Sequence, residues 1–196
     1  MEGIRKNMTH QKTPNILIEK INLERFGDFY EAAVESGREW FEAGVIPKPD
    51  LSRNEWEQMI KAFIALWEQD NAYIFYVLDG TNDQIVGLAL INQIYRLHQI
   101  GNLAYVVRTS RKGEGIATEA ARLVAQVGFE KLGLQRIEIV VHKDNMASLK
   151  VAQNLGALRE ALLRNRVLYH GVPSEAYLHS LIPTDWSNTR AAHLAG

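Results

Sequence analysis

The sequence predicts an α+β domain built on a mixed, mostly antiparallel sheet of about six or seven strands flanked by about four helices. Three observations carry this expectation. Hydrophobic periodicity gives the element order β-α-α-β-β-β-α-β-α-β-β. The middle strands are joined by short turn-forming stretches, and only one long helix is placed to cross between strands. The chain has 196 residues, 46% hydrophobic and 23% charged, which suits a single core without staples.

Each element has its own signal. Residues 16–18, Ile-Leu-Ile, open a strand. Over residues 24–41, Phe26, Phe29, Tyr30, Ala33 and Val34 recur at helical spacing. Residues 44–49 form a loop by their glycine and prolines. Ser52 followed by Glu55 is a capping box, and Trp56, Met59, Ile60, Phe63, Ile64 and Trp67 make one apolar stripe behind it. Residues 72–78 and 85–91 read as a hairpin around the turn formers 79–84. A strand at 102–107 leads through a glycine-bearing loop into a helix over 116–132, with Gly133 as its C-cap. A strand at 136–141, a short helix at 146–155 and strands at 167–169 and 175–182 close the chain. Residues 1–14 read as a leader, 15–184 as one domain and 185–196 as a tail.

Composition removes several function classes. The formal charge is −1, from 22 Lys+Arg against 23 Asp+Glu, so bulk attraction to nucleic acid or an anionic membrane is not expected. The chain has no cysteine, which excludes disulfides, thiolate nucleophiles and cysteine zinc sites. Its first residues lack the apolar core of a signal peptide, and no apolar run approaches the roughly 18 residues that span a bilayer. A cytoplasmic protein, monomer or homodimer, is expected.

The chemistry concentrates in Arg111-Lys112-Gly113-Glu114-Gly115-Ile116-Ala117-Thr118, between a predicted strand and a predicted helix. The first turn of a helix carries unpaired N–H groups and partial positive charge, and glycines let a phosphate approach the backbone. Arg111 and Lys112 add cationic side chains. A plain tight turn is the competing reading. A Walker loop requires Gly-x-x-x-x-Gly-Lys-Ser/Thr, which is absent. A dinucleotide fingerprint requires a third glycine where Thr118 stands, and too little chain follows for a doubly wound sheet.

Residues 112–117, continued by Thr118-Glu119-Ala120, resemble the pyrophosphate motif Gln/Arg-x-x-Gly-x-Gly/Ala of the GNAT superfamily of acetyl-CoA-dependent N-acetyltransferases, with lysine in its first position. The stretch from Asn145 through Ser148 to Ala152, then Leu155-Gly156-Ala157, resembles the family's Asn-x-x-Ser segment. The similarity runs over about residues 16–183 and is nearest the RimJ/RimL-like branch of ribosomal-protein-alanine acetyltransferases.

The resemblance implies acetyl-CoA as co-substrate, no metal, and an amine acceptor that is a peptide N-terminus or a small molecule. It implies that two neighbouring strands, 102–107 and 137–141, splay to admit the pantetheine arm. Tyr105, Val106 and Val107 would meet that arm through their backbones, with Val106 or Val107 serving as oxyanion donor, and residues 111–118 would hold the pyrophosphate. Ser148 matches the position proposed to protonate the leaving thiolate, or else is a helix-start residue. Asn145 would touch the cofactor or cap the short helix. Related enzymes often carry glutamate at the position of Asn102 or near Val167; neither is acidic here. His98 and Tyr105 are substitutes for that base, with Glu39 and Glu42 as further options. Trp40, Phe41, Asn102 and Tyr169 are candidates for the acceptor side, although tryptophans at helical spacing are more often core. An α-amine of pKa about 8 is roughly 10% neutral at pH 7, against roughly 0.04% for a lysine near 10.4. A site without a carboxylate base therefore suits an α-amine or another amine of low pKa better than a lysine. A catalytically weak acyl-CoA-binding relative is the alternative.

Overall fold

The first strand pairs antiparallel with the next strand of the chain, across two intervening helices. The computed structural model describes residues 13–42 and 45–187, so most of the expected leader, Gly44 of the predicted loop and the end of the expected tail lie outside the described residues. The elements are β1 (Ile16–Lys20), α1 (Phe26–Glu42), α2 (Arg53–Glu68), β2 (Tyr73–Asp79), β3 (Ile85–Tyr95), β4 (Ile100–Val107), α3 (Ile116–Glu130), β5 (Arg136–His142), α4 (Met146–Asn154), β6 (Leu158–Tyr169) and β7 (Val172–Leu181), with 3-10 turns at Arg96–His98 and Thr109–Arg111. The predicted α+β class with a mixed, mostly antiparallel sheet is what is observed. The seven strands form one sheet in the order β1-β2-β3-β4-β5-β7-β6, and only β4 and β5 are parallel.

Alternation along the strands sorts side chains onto two faces. One face packs Phe29, Trp40, Trp56, Ile60 and Tyr76 with α1 and α2. The other packs Leu103, Ile116, Val124, Ile137 and Val141 with α3. The capping box forms as expected: the Ser52 side chain accepts from the Glu55 N–H while the Glu55 carboxylate accepts from the Ser52 N–H. Trp186, within the stretch expected as a tail, is buried against Phe129.

β4 and β5 are registered only at Ile100↔Arg136, Gly101↔Ile137 and Asn102↔Glu138. Packing is tight where they meet. A Cβ on Gly101 would stand 2.9 Å from Ile91 Cγ2 and from Leu134 Cδ1. A Cβ on Gly128 of α3 would stand 2.8 Å from the Cδ1 atoms of Ile137 and Ile91. Beyond that end the strands part, as the family resemblance implied.

Candidate active site

The split leaves backbone groups of β4 facing a gap, and the ladder determines which ones. Arg108 N–H donates to Val86 O (2.7 Å), making that a hydrogen-bonded pair with β3. Alternation then turns the N–H and C=O of Val106, Ala104 and Asn102 toward β3, and those of Leu103, Tyr105 and Val107 toward the gap. Gln99 has the same parity, and its carbonyl accepts from Gln135 N–H on the β5 side (2.8 Å). The oxyanion and pantetheine roles expected of the Val106 backbone are therefore closed to it, because its polar groups are committed to the ladder. Val107 O accepts from Trp40 Nε1 (3.2 Å), so at Val107 the N–H is the group left for a ligand.

At the head of α3, Gly113 and Gly115 take positive φ of 81° and 82°, which aligns successive amides at little steric cost. Among the described residues, no acceptor meets the N–H groups of Gly113, Glu114, Gly115, Ile116 and Ala117. This row of donors has the chemistry a pyrophosphate requires. Thr118, expected to join it, instead donates its N–H to Gly115 O (3.1 Å). The cations also have other partners. Arg111 forks onto Glu114 and reaches Asp79 Oδ2 (2.9 Å), and Lys112 pairs with Glu39. Arg111 thus shapes the loop from within.

Helix α1 fastens the same loop. Glu35 accepts from Arg108 Nε (2.5 Å) and from Ser110 N–H (2.7 Å), and Ser36 Oγ accepts from Thr109 N–H (3.0 Å). With Glu39 and Trp40, these contacts fall on one face of α1.

The gap opens into a cavity of about 310 Å³. Tyr105, Ser148 and Asn145 line its α3–α4 side. The Tyr105 hydroxyl donates to Ser148 O (3.3 Å), and burial raises the Tyr105 pKa, so it stands there as a phenol. This is a correction to its expected role: a group held protonated is a donor, not a base. Asn145 is the N-cap of α4, its Oδ1 accepting from Ser148 N–H (3.0 Å). It also borders the cavity.

On the acceptor side the structure is selective. Asn102 lines the cavity with its Nδ2 donating to Asn92 Oδ1 (2.8 Å), and Tyr169 lines it with its ring stacked on His142 at 4.0 Å. Trp40 does not: it is 1% exposed, packed on Phe29 and Trp56 in the core. Phe41 packs against the same core rather than lining the cavity. His98 lies in the 3-10 turn beyond the closed end of the split, against Tyr95 and off the cavity, so it is not positioned as a base. Glu42 lines the cavity; Glu39 does not. Sequence reasoning missed His142, Gln93 and Arg166, all of which border it. A histidine ending a strand beside the gap was the available signal for His142. The other two sit at strand irregularities with no local signature.

Among the described residues, no group of three or more His, Asp or Glu is placed to hold a metal, and no helix is long and apolar enough to cross a membrane.

A sheet split beside a row of unpaired amides at a helix N-terminus is an architecture suited to a phosphate-bearing ligand with an extended arm. The chain belongs to the GNAT acetyltransferase family: the model of the acetyltransferase (GNAT) domain matches residues 15–158. It is 31% identical over 119 residues to the "probable N-acetyltransferase YjcK" of Bacillus subtilis, covering 60% of this chain and 66% of that one. It is 24% identical over 127 residues to the spermidine N(1)-acetyltransferase of Escherichia coli K12, covering 62% and 68%. A solved Vibrio cholerae structure, named a "putative ribosomal-protein-serine acetyltransferase", superposes with TM-score 0.73 at 29% identity over 87% of this chain and 95% of that one.

Proposed function

We propose that this chain is an acetyl-CoA-dependent N-acetyltransferase that moves the acetyl group directly to a primary amine, either a protein N-terminal α-amine or a compact small-molecule amine. The observation that carries the reading is the row of unpaired N–H groups from Gly113 to Ala117, set at the end of a split whose free β4 edge leads to Tyr105 and Ser148.

Acetyl-CoA supplies an acetyl thioester when bound. The amides of residues 113–117 would hold its pyrophosphate. The free backbone of Leu103, Tyr105 and Val107 would pair with its pantetheine amides as an added strand does. An N–H of the same set would donate to the thioester carbonyl as negative charge develops there. The Tyr105 hydroxyl, kept protonated by burial, or the Ser148 hydroxyl would donate a proton to the departing sulfur. No carboxylate stands at Asn102, so the amine is required to arrive neutral or to lose its proton to water or Glu42. That favours an α-amine over a lysine. A RimJ/RimL-like role on ribosomal proteins agrees with the Vibrio cholerae likeness. The Escherichia coli relative is named for spermidine, a small-molecule acceptor.

The test is an amine panel of N-terminal peptides, amino-acid amides, polyamines and internal-lysine peptides, with acetyl-CoA, read by product mass. Acetylated α-amines are expected. Robust acetylation of internal lysines beside inert N-terminal peptides would sink the α-amine reading. Tight coenzyme A binding without product from any amine would favour the binding-module reading, which the amide pair Asn102–Asn92 motivates.

A further inference from the structure

We infer that Gln93 and Arg166 form the recognition site for an oxygen group on the acceptor, and that the acceptor is an amine carrying a carbonyl or carboxylate next to the reacting nitrogen, not a polyamine. This rests on the acetyltransferase reading for its substrate class. The two residues lie 73 positions apart and meet only through irregularities in their strands. The β3–β4 register shifts between Asn92 and Tyr95, with Gln93 at φ 49°. The β6–β7 register shifts between Leu163 and Val167, with Asn165 at φ 50°. A bulge interrupts the ladder and re-aims a side chain, and a non-glycine residue at positive φ costs energy that regular pairing does not. Here both bulges converge on the cavity, where Arg166 Nη2 donates to Gln93 Oε1 (3.4 Å).

Charge narrows the ligand. Arg166 has no carboxylate partner among the described residues, although Arg111, Arg108, Arg136 and Arg25 all do. Arg166 itself lines the cavity, with N–H donors beyond the one given to Gln93. The described lining offers one carboxylate, Glu42, and four neutral amides, Asn92, Gln93, Asn102 and Asn145. A polycation would meet a guanidinium there with a single counter-charge. An amino-acid-like acceptor presents an ammonium or amine and, a few bonds away, an oxygen that a guanidinium and a carboxamide N–H both satisfy.

The experiment measures kcat/KM, expressed per concentration of unprotonated amine so that differences in acceptor pKa drop out, for matched acceptors: an amino-acid amide, the same amine without its carboxamide, and spermidine. The wild type and the variants Arg166→Ala and Arg166→Lys are compared, and calorimetric binding of acetyl-CoA reports whether each variant keeps its fold. The wild type is expected to prefer the amide over the bare amine by about 10- to 100-fold. Arg166→Ala is expected to collapse that ratio toward one through KM, and Arg166→Lys to recover part of it. A ratio that survives in Arg166→Ala, or a wild type that prefers spermidine, overturns the inference. Should no amine be acetylated, calorimetry of the amino-acid amide on coenzyme A-loaded protein decides. Binding that Arg166→Ala abolishes upholds the oxygen site while removing the transferase reading, and absence of Arg166-dependent binding overturns both.

Discussion

At the scale of single residues, the site separates groups that hold shape from groups free to act. Arg111, Lys112, Asn145 and Trp40 are drawn into pairing, capping or packing, whereas the amides of 113–117 have no acceptor among the described residues and Tyr105 and Ser148 line the cavity. Tyr105→Phe keeps the ring's packing and removes the hydroxyl, with its hydrogen bond to Ser148 O. If that donor serves the leaving sulfur, kcat falls about 100-fold, while KM for acetyl-CoA barely moves and the melting temperature falls only by what the lost hydrogen bond to Ser148 O is worth, about 1 kcal/mol. Steady-state kinetics beside Ser148→Ala assigns the role, since the donor is whichever hydroxyl carries the larger loss in kcat. Gly115→Ala is limited by conformation, not space: its nearest neighbour, Pro14 Cδ, stands at an ordinary 3.7 Å from the added methyl, but φ is 82°. The expected cost is about 1–2 kcal/mol, a fall in melting temperature of roughly 2–8 °C, together with weaker coenzyme A binding because the row of amides tilts. Calorimetric binding together with a melt checks both.

At the scale of elements, α1 serves two purposes. One face buries Phe29 and Trp40 in the core, and an adjoining row from Glu35 to Glu39 fastens the loop between β4 and α3. Glu35→Ala deletes the acceptor for both Arg108 Nε and Ser110 N–H, and is expected to raise KM for acetyl-CoA about tenfold with a smaller change in KM for the amine. An equal rise in both would show that the helix acts only on overall stability. Gly101→Val would test the closed end of the split, where Ile91 and Leu134 leave no room for a side chain; overpacking there costs about 1–3 kcal/mol in a denaturation curve. The limits of sequence reading lie at the same scale. Elements with a buried stripe or a cap were legible: α2 from Ser52–Glu55, the β2–β3 hairpin from its turn formers, and the head of α3 from its glycines. Of β6, only residues 167–169 were anticipated. Arg159, Glu160, Arg164 and Arg166 interrupt any apolar alternation, because an edge strand buries little and its sequence need not alternate. For the site, the glycine loop was legible because its chemistry is local. The exclusion of Val106 was not, since which β4 amides face the gap follows from a register with β3 that no local pattern encodes. Gln93 and Arg166 were hidden for the same reason, because only two bulges in different strands bring them together.

At the scale of the whole molecule, the sheet has α1 and α2 on one face and α3 and α4 on the other, and the split between β4 and β5 is the passage between them. On the proposed reading, a cofactor held at the head of α3 and an amine held beside Phe63 and Asn102 would meet in that passage, as direct transfer requires. Its rims are pinned by carboxylates from distant parts of the chain. Asp79, at the end of β2, has its pKa lowered to about 2 by the Thr81 hydroxyl and N–H and by Arg111, and so ties the β2–β3 hairpin to the loop before α3. Glu160, on the edge strand β6, is lowered to about 2 by Arg136 and Ser180, and so ties β6 and β7 to the start of β5 at the closed end. Both folded values lie below the ordinary carboxylate pKa of about 4. The folded state therefore holds these protons less tightly than the unfolded chain, and the stabilisation is fully present above about pH 4. It is lost as pH falls toward about 2, where both carboxylates become protonated in the folded state as well. Thermal melts of the wild type should show no contribution from these groups to any slope between pH 5 and 8, and a progressive decline from about pH 4 downward. Asp79→Asn should start from a lower melting temperature at neutral pH and decline less steeply below pH 4, so that the two curves converge in acid. Curves that stay parallel down to about pH 2 would show that Asp79 does not carry the tie between the hairpin and the loop, and that the loop before α3 is held by α1 alone.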